Sequence, residues 1–82
     1  IDVIDEQLLE LLAKRMRISR EIGEYKKEHN MPILQSPRYS EILEKRSNMG
    51  EQMDLSTDFV KEILKEIHEE SVRQQMIIMN EQ

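Results

Sequence analysis

From Ile1 to His29 no proline or turn signal interrupts the chain, and that long stretch most limits how 82 residues can fold. Ile1, Ile4, Leu8, Leu11, Leu12, Ile18 and Ile22 recur at i, i+3, i+4 and i+7, the spacing of one helical face. The pattern stops at Asn30-Met31-Pro32, where the proline ring disfavours helix at the residue before it. A helix over 1–29 is about 44 Å long at 1.5 Å per residue, whereas a compact globule of this size has a radius of gyration of about 12 Å. One chain cannot cover such a helix. The spacing therefore predicts a homodimer in which two long helices pair and each covers the other's stripe, with a site that draws on both chains. Gly23 falls in mid-helix at about 1 kcal/mol relative to Ala; it either admits a close helix or is ordinary packing.

Ser36-Pro37 reads as an N-cap and first helical residue, giving a short helix over about 37–48 that ends near Gly50. Ser56 or Thr57 caps a third helix, and Val60, Leu64, Ile67, Val72 and Met79 carry its apolar face to about Asn80. The composition agrees: one Phe, no Trp, two Gly and two Pro in a chain that is 35% charged suit helices and offer little for a sheet. The expectation is an all-α chain of three helices, long, short and long, forming one domain over 1–82. A chain of this length buries only about 60% of its unfolded surface, so the core is marginal.

Several classes of function are excluded or disfavoured at once. Without cysteine there is no disulfide framework, thiolate metal site or cysteine nucleophile, which fits a reducing compartment. No apolar run approaches the roughly 20 residues of a membrane span, and no signal-peptide pattern occurs, so the chain reads as soluble and cytoplasmic. A net charge of -5 and few aromatics argue against nucleic acid as a partner. Ile1 already stands in helical register, from which we expect residues upstream.

Two cations stand in the wrong place. At about 100° per residue, Arg15 and Lys26 lie within about 20° of each other, and Ile4, Leu8, Leu11, Ile18 and Ile22 fall within roughly 60° of Arg15. Lys14, Arg17, Arg20 and Lys27 take the flanks or the far side. An unpaired cation in an apolar stripe costs several kcal/mol, so the pair calls for an anion, from the protein or from a ligand. Glu10, Glu21, Glu69 and Glu70 are the protein's candidates. On the third helix Ser71 and Gln75 share the apolar face of Val60, Leu64, Val72, Ile78 and Met79, and an inward amide can donate to an oxygen without bringing charge. Arg38 occupies the first turn of the second helix, where the dipole disfavours a cation unless an anion is bound. Each residue has a plainer reading, as a snorkelling or ion-paired cation, a core amide or a surface arginine. Together they could converge on one cavity.

Other chemistries are poorly supplied. His29 and His68 stand far apart with no further ligand at metal spacing, and Ser71 has no local base. His68 falls close to the Gln75 direction and is a minor candidate for lining the pocket. The methionines read as core and loop filling. What remains is a cationic, amide-bearing cavity without acid, base, metal or cofactor, suited to a small polyanion and to a reaction helped by electrostatics and restraint.

"IDVIDEQLLELLAKRMRISREIGEYK", "MPI", "PR" and the late "ESVRQQ" resemble the all-helical chorismate mutase family over essentially the whole chain. The resemblance implies an intertwined dimer of three helices per chain that converts chorismate to prephenate by a Claisen rearrangement. It implies that Arg15 holds a substrate carboxylate, that Lys26 contacts the ether oxygen and a carboxylate, and that Arg38 stands near the site. Ser71 would contact a carboxylate and Gln75 would donate to the ether oxygen.

Departures from the family pattern fall at Tyr39 and Gln35, where it commonly carries acidic residues that bear on the substrate's ring hydroxyl. A further arginine, usual three positions before Ile1, lies outside the 82 residues. Two rivals follow: an isochorismate-pyruvate lyase on the same scaffold, and a non-catalytic regulatory or dimerisation module of a fused shikimate-pathway enzyme.

Overall fold

The computed structural model contains α1 (Asp2–Glu28), α2 (Ser36–Gln52) and α3 (Thr57–Asn80). It describes residues 1–33 and 36–81, and at 36–38 the backbone alone. No strand occurs among the described residues, so the class is all-α, as the composition predicts. The chain divides into two compact units, one of Ile1–Ile33 with Glu70–Gln82 and one of Leu34–Glu69.

α1 keeps to its predicted limits. Asp2 and Asp5 stand in its first turn and Lys26 and Lys27 in its last, each sign at the end of the helix dipole that favours it. The helix stops because Asn30 takes a left-handed φ of 54°. Met31 N–H then reaches the Lys26 carbonyl at 2.8 Å, and Asn30 N–H the Lys27 carbonyl at 3.4 Å, a Schellman arrangement that satisfies orphan carbonyls.

α2 departs from expectation at both ends. It starts at Ser36 itself and continues past Asn48 and Gly50 to Gln52. Gly50 is not the stop: no glycine among the described residues has a positive φ, and the left-handed residue is Asp54 at 63°. Asp54 N–H bonds the Glu51 carbonyl at 3.1 Å and Leu55 N–H the Gly50 carbonyl at 2.9 Å, a second Schellman end. Glycine at 50 serves packing instead, since a Cβ there would lie 2.7 Å from Val60 Cγ2 of α3. The N-terminus of α3 is capped as predicted, with Phe59 N–H donating to Ser56 Oγ at 3.4 Å.

In the first unit, α1 meets the C-terminal half of α3 through small and polar residues. Ser19, Gly23, Ser71, Gln75 and Ile78 are the buried positions there. A Cβ on Gly23 would stand 3.0 Å from Gln75 Cα, so this glycine does admit a close helix. The face used is centred on Gly23, about 80° around α1 from Arg15. The apolar stripe is therefore left open: Ile4, Leu8 and Leu11 remain 65%, 54% and 64% exposed. Among the described residues Ile78 is the one buried hydrophobic side chain.

Candidate functional site

Lys26 leaves the last turn of α1 half-buried, on the edge between the open stripe and the face packed on α3. Its Nζ donates to the Ile33 carbonyl at 2.8 Å and to Gln75 Oε1 at 3.2 Å. Burial holds its pKa below the ordinary lysine value, since water lost from the ammonium disfavours the charged form. An ammonium only donates, so the Gln75 amide must turn its oxygen to Lys26 and its nitrogen the other way. That nitrogen reaches Ser71 Oγ at 3.4 Å. Ser71 Oγ lies 2.6 Å from Ser19 Oγ, and Ser19 Oγ donates to the Arg15 carbonyl at 3.0 Å. A continuous polar line thus runs through the first unit from Ile33 to Arg15.

The predicted residues divide accordingly. Lys26, Ser71 and Gln75 come together, and Arg15 stands half-buried one turn before Ser19. Arg38 lies in the first turn of α2, with its side chain outside the described residues, and Gln35 lies outside them altogether. Tyr39 belongs to the second unit and stacks on His68, with ring centroids 3.8 Å apart and planes 21° from parallel.

One sequence-level expectation about charge needs correction. Glu70 turns to its own helix: Arg73 Nε and Gln74 Nε2 donate to it at 2.7 and 3.0 Å, and these bonds hold its carboxyl below the usual range. The flank cations Arg20 and Lys27 reach across to α3. Arg20 Nη1 donates to Gln74 Oε1 at 3.1 Å, and Lys27 Nζ to the carbonyls of Ile78, at 3.2 Å, and Glu81. These bonds tie α1 to the end of α3, where exposed carbonyls favour a cation.

Ser19 escaped the sequence reading. It lies only about 40° from Arg15 on the helical wheel, inside the sector that singled out the cations. A search for misplaced charge passes over a small neutral hydroxyl.

Comparison with known proteins gives the family of the chain. The family model for chorismate mutase type II matches residues 1–76. A bifunctional chorismate mutase/prephenate dehydratase of Buchnera aphidicola is 36% identical over 80 residues, covering 98% of this chain and 21% of that protein. The T-protein of Enterobacter agglomerans is 34% identical over 71 residues, covering 87% and 19%. A bifunctional chorismate mutase/prephenate dehydratase of Aquifex aeolicus is 47% identical over 45 residues, 55% of this chain and 12% of that one. The chain spans about a fifth or less of the length of these curated relatives. With nearly its whole length matched by the family model, the chain belongs to the type II chorismate mutase family.

Proposed function

We propose that these 82 residues act as one chorismate mutase domain, rearranging chorismate to prephenate. In the rearrangement the C–O bond breaks ahead of C–C formation, so negative charge grows on the ether oxygen and no proton needs to move. Arg15 and Ser71 hold substrate carboxylate in the reactive conformer, a task the family resemblance extends to Arg38, and this restricts the ground state toward the reacting geometry. Lys26 and Gln75 stabilise the developing charge, a contribution of roughly 3 to 4 kcal/mol per donor in oxyanion sites. The observation that carries this reading is the pairing of Lys26 Nζ with Gln75 Oε1 at 3.2 Å. It turns the amide nitrogen away from Lys26, where one N–H reaches Ser71 Oγ and the second remains to donate, while the ammonium, with two of its three N–H groups directed to protein oxygens, keeps one for an incoming anion.

The domain works as a homodimer in the cytoplasm, with the α1 stripes paired. The names of the relatives, bifunctional with prephenate dehydratase, support a link to a second enzyme of the same route. Tyr39, stacked on His68 where the family commonly carries an acidic residue, favours a second reading in which isochorismate is the substrate and pyruvate is released. Incubation with chorismate and isochorismate separately, with identification of products, tests both. Prephenate from chorismate is the expected result; salicylate and pyruvate from isochorismate alone would install the lyase, and no product from either would leave a non-catalytic module.

A further inference from the structure

Ser19 has no part in the reading above, yet it is 3% exposed and its Oγ lies 2.6 Å from that of Ser71. The direction of each hydrogen bond follows by elimination. A serine hydroxyl has one proton, and Ser19 commits its own to the Arg15 carbonyl at 3.0 Å. The short contact between the hydroxyls then takes the proton of Ser71. Ser71 is left presenting lone pairs, and it accepts from Gln75 Nε2 on one of them. Lone pairs repel a carboxylate.

For Ser71 to hold a carboxylate, its proton must turn to the ligand, and the 2.6 Å contact must then be served by the proton of Ser19. Ser19 can supply it cheaply. The Arg15 carbonyl that loses the hydroxyl keeps its intrahelical bond from the Ser19 backbone N–H, so no buried acceptor is orphaned. A hydroxyl that accepts a hydrogen bond also becomes a stronger donor in its own next bond.

We propose that Ser19 is a positioning residue of the substrate site, forming with Ser71 a two-hydroxyl relay that points one way when the site is empty and reverses when a carboxylate binds. The inference rests on the proposal that Ser71 takes a substrate carboxylate. No covalent bond changes; two O–H bonds rotate, and the donor that Ser71 gives the ligand is replaced by one from Ser19.

The test is kcat and KM for chorismate in the full chain, for wild type, Ser19→Ala, Ser71→Ala and the double variant, with melting temperatures recorded without substrate. Ser19→Ala raises KM by about three- to tenfold with kcat much less affected, because the carboxylate is held alike in ground and transition states. The double variant matches Ser71→Ala alone, since Ser19 acts through Ser71. An unchanged KM in Ser19→Ala overturns the proposal. So does a Ser19→Ala effect of equal size with and without Ser71, which is what a merely structural residue gives. A wild type that turns over neither chorismate nor isochorismate overturns the proposed function and this assignment with it, whereas an active wild type with an intact KM in Ser19→Ala overturns this assignment alone.

Discussion

Burial holds the Lys26 ammonium below the ordinary lysine value of 10.5, and the sign of that shift separates stability from turnover. An unfolded chain keeps the lysine proton up to the ordinary value, while the folded chain releases it earlier. Between the two the unfolded state binds more protons, so stability rises with pH across that window. Turnover needs the charged form, so kcat/KM falls across the same window. Denaturant melts and kcat/KM measured side by side from neutral to alkaline pH check the opposed slopes; parallel slopes would remove Lys26 from the chemistry. Ser47 gives a simpler case. It is 2% exposed and its Oγ has no hydrogen-bond partner among the described residues, so Ser47→Ala relieves an unsatisfied hydroxyl and improves helix propensity. Thermal melts of Ser47→Ala are expected to show a gain of about 1 kcal/mol. Lys26 and Gln75 were legible in the sequence because charge or an amide on an apolar face is a costly anomaly, and Ser71 only through its place one turn before Gln75. Ser19 and Ser47 were not, because a small hydroxyl is cheap to place anywhere and only its neighbours reveal whether it is bonded.

Helix ends were legible where the residue forming the stop has no other use. Pro32 and Asn30 mark the end of α1 plainly, and Ser56 the start of α3. Gly50 misled, because a glycine that ends a helix and one that admits a neighbouring side chain are the same letter; here Val60 fills the space and Asp54 makes the turn. The two helical glycines predict different failures. Gly50→Ala drives a Cβ to 2.7 Å from a β-branched side chain with little freedom to move, and is expected to destabilise by about 1 to 3 kcal/mol with kcat nearly unchanged. Gly23→Ala meets the backbone of Gln75 at 3.0 Å, which cannot rotate aside, so α1 and α3 must separate at the residues proposed to do the chemistry. Denaturant melts should show both variants weakened, and kinetics should show kcat reduced in Gly23→Ala alone.

At the scale of the molecule the long helix sets the terms. Ile4, Leu8 and Leu11 form an apolar row that is more than half exposed, while the intrachain contact uses the Ser19 and Gly23 side of the same helix. A row of that size left in water is what the proposed pairing with a second α1 would cover. Arg15 and Lys26 stand between the two faces of α1, about 20° apart. Pairing of the open stripes would therefore bring a second chain to the edge of the proposed site, and covering the site would raise the strength of its electrostatics by excluding water. Ile4→Glu and Leu8→Glu lie on the open stripe seven or more residues before Arg15, beyond ion-pair spacing to it, so their effect isolates assembly. Each is expected to yield a monomer of reduced helix content, with kcat/KM down by at least about tenfold at micromolar concentration and partly recovered as concentration rises, because association and folding are linked. Sedimentation equilibrium and circular dichroism beside the activity assay decide it. A wild type that sediments as a folded, active monomer at micromolar concentration would overturn the dimer, and would mean that the exposed stripe of α1 serves some other surface.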